Sequence, residues 1–331
     1  MPRDGFYRTM QPTLRKKILF ICGSLNQTTQ VHQIAQALPE HDHFFTPFYV
    51  DGPFEQMRKM HLMDFTILGG EHLRRSTEYC NDHELTIDYR GESHNYDLIV
   101  RSGDISIPRN TRGRRSVLIQ EGMTDPSNLR FLLIKYLRAL PRWAASTAAF
   151  GLSDEYDKFC IASEGYRDMF IENGVLPEKI EITGIPNFDN AKRYLQNEFP
   201  HRNYVLVCTS DMRETLRYEN RPKFIKHCLD IANGRQLIFK LHPNEDLDRA
   251  RREVARYAPS AIVYSEGNTN HMIANSDVLI TKYSSVVLLA AAMGKEIHSD
   301  LDPEWLEEVK PIQNGGTSAQ RIAGICKEYL N

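Results

Sequence analysis

An α/β fold in two halves, each built on a parallel sheet, is predicted by three observations. Short apolar runs of strand length alternate with stretches of helical periodicity along most of the chain. The alternation breaks once, where Gly184 and Pro186 interrupt residues 183–189, and then restarts. At 331 residues, 41% of them hydrophobic and 25% charged, the chain can bury two cores of ordinary composition. Strands that alternate with helices pair in parallel, because a parallel neighbour needs a crossover long enough to hold a helix. The break sets the expected domains at residues 1–186 and 187–331.

The elements follow in order. Residues 17–22 (KILFIC) form a buried-strand run, and the loop 23–29 leads into a helix whose apolar positions Val31, Ile34, Ala35 and Leu38 share one face. Further strands are expected at 44–50, 98–101, 117–120, 159–162 and 180–183. Ser163 is the expected cap of a helix that stops at Asn173-Gly174. The second half offers strands at 204–208, 236–240, 261–264, 278–280 and 296–298, and a closing helix over 317–329.

Charge and cysteine usage narrow the function classes. A net charge of −2 gives no global basic field, so nucleic acid is not an expected partner. The six cysteines show no CxxC or other metal-ligand spacing and read as reduced thiols of a cytoplasmic protein. The first seventeen residues lack the apolar core of a signal peptide, and no uncharged apolar run approaches the ~20 residues a bilayer span needs.

In open α/β sheets, ligands bind beyond the carboxyl ends of the strands. Seven such ends here carry polar groups: Ser24 with Asn26, 102–104, 121–125, Thr209 to Glu214, 242–245, 266–269 and 282–285. The segment 271–287 is the most informative. It reads as helix, buried strand, hydroxyl-bearing turn and helix, and it sets Ser284 and Ser285 at the first turn of the last helix, where unpaired N–H groups and the helix dipole favour an anion. The alternative is that Ser284 only caps that helix.

These motifs, in this order and spacing, resemble the GT-B superfamily, two Rossmann-like domains facing across a nucleotide-sugar cleft. HPNE at 242–245 followed by HMIANSDVLIT at 271–281 resembles the non-hydrolysing UDP-N-acetylglucosamine 2-epimerases. KYSSV at 282–286 with Gly294-Lys295 is more similar to CDP-glycerol glycerophosphotransferases and capsule glycosyltransferases. In the first half, 102–104 (SGD) and 120–123 (QEGM) resemble epimerase positions that hold an aspartate and a glutamate. Two departures weigh against epimerisation. The epimerase His-Arg pair falls at Asp211-Met212-Arg213, without the imidazole, and the paired-glutamate segment is replaced by Pro141 to Gly151.

The resemblance therefore implies group transfer more than elimination and re-addition. The expected activity moves a sugar or polyol phosphate from a nucleotide-activated donor to a cell-surface polysaccharide acceptor, saccharide or lipid-linked. The alternatives are a nucleotide-sugar epimerase and a non-catalytic nucleotide-sugar-binding protein. Transfer needs a base near the acceptor hydroxyl and a clamp on the leaving phosphate. Glu121 is the candidate base, with Asp104 next and Asp211 acting from the donor side; a carboxylate that only organises its loop is the other reading of Glu121. Ser284 and Ser285 would hold phosphate, assisted by His242, Lys282 or Arg213, with Glu266 on the ribose hydroxyls. The other readings are a backbone-carbonyl partner for His242 and a polar loop position for Glu266.

No acidic pair of metal-binding type follows a strand, so no metal and no resident cofactor is expected. Arg109, Arg112, Arg114 and Arg115, with the basic and apolar stretch 128–142, leave two readings open. One is peripheral contact with the inner face of a membrane; the other is an ordinary core helix with a charged solvent face.

Overall fold

The computed structural model describes residues 14–64, 66–124, 131, 147–210, 212–214 and 217–331. Two all-parallel sheets organise them. The first joins β1 (Lys17–Ile21), β2 (Asp42–Thr46), β3 (Leu98–Arg101), β4 (Ser116–Ile119), β5 (Lys158–Ile161) and β6 (Ile180–Ile182) in the order β2-β1-β3-β4-β5-β6. The second joins β7 (Val205–Cys208), β8 (Leu237–Lys240), β9 (Ile262–Tyr264), β10 (Val278–Ile280) and β11 (Glu296–His298) in the order β11-β10-β7-β8-β9. Every expected strand is present. The largest shift is in β2, which ends at Thr46 because Pro47 has no N–H to continue the ladder.

The helices begin and end where local chemistry dictates. In α1 (Leu25–Gln36), Ser24 and Gln27 form a capping box that satisfies two N-terminal donors reciprocally. Helices α2 (Pro53–Lys59) and α3 (Gly70–Asp82) follow β2. The Ser163 hydroxyl caps α4 (Glu164–Asn173), and Gly174, at φ 111°, ends it in the left-handed region that glycine tolerates best. The second half adds α5 (Arg221–Ala232), α6 (Leu247–Tyr257), α7 (Thr269–Asn275), α8 (Val286–Ala292), α9 (Pro303–Glu308) and α10 (Ser318–Leu330).

One core is continuous across both halves: Leu118, Phe159 and Phe170 of the first share a buried cluster with Leu206, Leu279 and Leu288 of the second. At that seam Tyr166 meets Trp305 edge-on at 6.3 Å. Gly165 is pressed so close to α9 that a β-carbon there would lie 2.3 Å from the Glu308 carbonyl oxygen. Gly165→Ala is therefore expected to destabilise the fold by about 1–3 kcal/mol, the usual penalty for overpacking, as read from the urea midpoint. A midpoint equal to that of the unaltered chain would mean that α4 and α9 part easily.

The last helix crosses back over the interruption at residues 183–189. α10, at the end of the second half, returns to the first sheet and buries Ile322, Ala323, Cys326 and Leu330 against Ile18, Val100 and Val117. The return is pinned by Ser318, whose N–H donates to Asp189 at 2.7 Å and whose hydroxyl donates to the Thr183 carbonyl at 2.8 Å. All six cysteines are buried and free of disulfides. Among the described residues no helix is long and apolar enough to cross a membrane.

Candidate functional site

In the second sheet the chain runs from β7 outward to β8 and β9, then returns to place β10 on the other side of β7. Two adjacent strands whose connections leave in opposite directions open a crevice at their carboxyl ends. Thr209 follows β7 there, and the turn Thr281 to Ser285 follows β10. Ser285 is exposed and makes no side-chain cap to α8, while Ser284 Oγ accepts the Val286 N–H only at 3.5 Å. Both hydroxyls are thus largely uncommitted to their own helix.

Glu121 lies two residues beyond β4 and is half-buried. Ser24 Oγ donates to its Oε1 at 2.9 Å and Gln27 Nε2 to its Oε2 at 2.6 Å, while Asn26 Nδ2 holds its backbone carbonyl at 3.1 Å. Burial pushes the carboxyl above the ordinary glutamate range, against the opposing pull of the Ser24 and Gln27 hydrogen bonds. Gly122 comes next, and a β-carbon added there would lie 3.8 Å from Ser285 Cβ and 3.8 Å from Phe188. The loop after β4 and the turn after β10 therefore meet across the two halves, with Glu121 beside the meeting point.

The other expected residues divide by location. Asp104 is fully buried, and its two oxygens accept the Gly151 and Ser153 N–H groups at 3.0 Å each, so it organises the loop that precedes β5. His242 stands at the end of β8; its Nδ1 accepts the Asn244 N–H at 3.2 Å, which in the neutral ring leaves the proton on Nε2. Its own N–H donates to Thr209 Oγ1 at 2.9 Å, tying the β8 loop to the β7 loop. Arg213 is committed to Glu253 through two bonds of 2.8 and 2.9 Å and approaches Glu245 at 3.5 Å. Glu266 is exposed.

Lys282 turns away from the serines. Its Nζ lies 3.9 Å from Asp300 and 5.8 Å from the centre of the Phe224 ring, in a groove whose lining includes neither Ser284 nor Ser285. Asp211 lies outside the described residues, as does the basic stretch 128–142 apart from Phe131, which is buried. Of the four arginines at 109–115, Arg112, Arg114 and Arg115 donate to backbone carbonyls. Among the described residues no three or more His, Cys, Asp or Glu side chains gather as a metal site.

No protein-family profile matches the chain, and no curated protein matches its sequence. Solved structures do. The wall teichoic acid polymerase TagF superposes with a TM-score of 0.54 at 13% identity, over 97% of this chain and 89% of that one. MnaA of S. aureus, solved with UDP, superposes with a TM-score of 0.57 at 11% identity, over 96% and 97%. A UDP-N-acetylglucosamine 2-epimerase described as putative, from Listeria monocytogenes, gives 0.55 at 14%, over 96% and 90%. The chain has the GT-B fold. Within that GT-B frame, the meeting of Glu121–Gly122 with Ser285 lies where the two Rossmann-like halves face each other.

Sequence reasoning missed Gln27 as a partner of Glu121. The Ser24-x-x-Gln27 spacing reads as a capping box, which it is, and gives no sign that the same amide also reaches a carboxylate on another strand. It also missed that the Glu245 carboxylate of the HPNE motif is buried, receiving hydrogen bonds from Thr209 at 2.5 Å and from Arg221. No signal within that motif separates a ligand contact from a buried network.

Proposed function

We propose that the chain is a metal-independent glycosyltransferase-like enzyme. It moves a sugar or polyol phosphate from a nucleotide-activated donor to a cell-surface polysaccharide acceptor at the cytoplasmic side of the membrane. The observation that carries this reading is Glu121, held by Ser24 and Gln27 at the point where its loop touches Ser285. Glu121 takes the proton of the acceptor hydroxyl as its oxygen attacks, and the bond to the leaving phosphate breaks. The charge that develops there is met by the Ser284 and Ser285 hydroxyls and by His242 Nε2–H. Solved structures of similar fold support an activated donor, since S. aureus MnaA was solved with UDP and the Methanocaldococcus jannaschii UDP-GlcNAc 2-epimerase with UDP-GlcNAc and UDP.

A thermal-shift panel of UDP, CDP, CMP and GDP in EDTA tests donor binding. A nucleotide at 100 times its Kd should add about 2.7 kcal/mol of stability, and Ser284→Ala/Ser285→Ala should abolish the shift. No shift with any of the four would remove the donor from this reading. Incubation with UDP-N-acetylglucosamine and no acceptor separates the rival activity, because only an epimerase yields the 2-epimer.

A further inference from the structure

A groove of about 950 Å³ lies on the far side of the Thr281–Ser285 turn, along the edge strand β11. That volume is in the range of small-molecule sites. Its floor is Ile280, Thr281 and His298; His298 pairs in register with Ile280, so the two side chains stand on the same face of the sheet. One wall is α5, which presents Lys223, Phe224 and His227, the first and last being four residues apart on one helical face. The opposite wall is the segment from Asp300 into α9.

Charge and unmet hydrogen-bonding capacity indicate what this groove takes. Four lysines line it against two carboxylates, an excess of two positive charges on a chain whose net charge is −2. The two carboxylates are already matched, Glu307 by Lys310 at 3.1 Å and Asp300 by Lys282 at 3.9 Å. Lys295 spends its donors on the carbonyls of Ala274 and Ser276. Lys223 and His227 are exposed and form no side-chain ion pair among the described residues. Thr281 is 2% exposed, and its hydroxyl oxygen has no hydrogen-bond partner among the described residues. A buried hydroxyl left unpaired costs free energy that a ligand oxygen would recover. Tyr218, which is 84% exposed at the rim, offers flat apolar surface beside these donors, and the mostly buried Phe224 also lines the groove.

We propose that this groove is a second ligand site that binds a phosphorylated sugar or polyol, separate from the crevice at Ser284 and Ser285. The phosphate sits between Lys223 and His227, and the carbon skeleton lies against Phe224 and Tyr218 with a hydroxyl toward Thr281. The inference stands whether or not the transferase reading holds.

Titration calorimetry of the full chain tests it with glucose 6-phosphate as a monoester, a short glycerol phosphate oligomer as a diester, and glucose as the uncharged control. At least one phosphorylated probe is expected to bind, glucose is not, and the tighter of the two names the source of the phosphate. Lys223→Glu/His227→Ala should weaken that binding at least tenfold without moving the thermal midpoint, whereas Ser285→Ala should leave it unchanged. The proposal is overturned if neither phosphorylated probe binds, if the double variant binds like the unaltered chain, or if Ser285→Ala alone abolishes binding.

Discussion

Glu121→Gln is expected to lower the rate of donor-dependent transfer by about 10²- to 10⁴-fold, the range usual for removing a positioned general base. The amide keeps the shape of the side chain and can still meet Ser24 and Gln27, so nucleotide binding, read by the thermal shift, should be preserved. The pH profile gives the second readout. Because burial holds this carboxyl above its ordinary range, activity should rise with pH as it ionises, and the Gln variant should lack that limb. Stability runs the opposite way. Folding favours the protonated acid, so this contribution is present below the ordinary glutamate range and is lost as pH rises through the raised value. The Gln variant mimics the neutral acid and should escape the loss. Turnover within threefold of the unaltered enzyme would reduce Glu121 to an organiser of its loop.

How much of this was legible in the sequence depended on whether the signal was local. Each strand appears as a short apolar run, and the end of β2 was written in Pro47, whose missing N–H outweighs the apolar residues after it. The apolar face of α10 was equally visible. Which sheet it covers was not, since periodicity records that a face is buried and not what buries it. Lys282 shows the same limit at the scale of a turn. Its chemistry and its place after β10 were apparent, yet backbone direction sends it toward Phe224 while Ser285, three residues on, faces Gly122. Glu121 was legible as a polar residue at a strand end; the hydroxyl and amide that hold it come from the cap and first turn of α1, and only the β1–β3–β4 pairing brings them together.

Arg221→Met is expected to cost about 3–5 kcal/mol, because it removes the cation from between two buried carboxylates. Arg221 is 1% exposed; its Nε lies 2.9 Å from Glu219, and its terminal nitrogen donates to Glu245. Their side chains are 1% and 0% exposed, so water cannot take the place of the lost guanidinium. The Met side chain fills much of the volume, which makes the loss chiefly electrostatic. One control separates that cause from simple packing. Glu219→Gln/Glu245→Gln in the Arg221→Met background removes the uncompensated charges and should recover much of the deficit. The effect should also reach the crevice. Glu245 accepts from Thr209 Oγ1, the same oxygen that receives the His242 N–H, so loosening Glu245 releases the loop that carries the imidazole. A variant stable to within 1 kcal/mol in urea would show that the cluster is not what holds the β7 and β8 loops together.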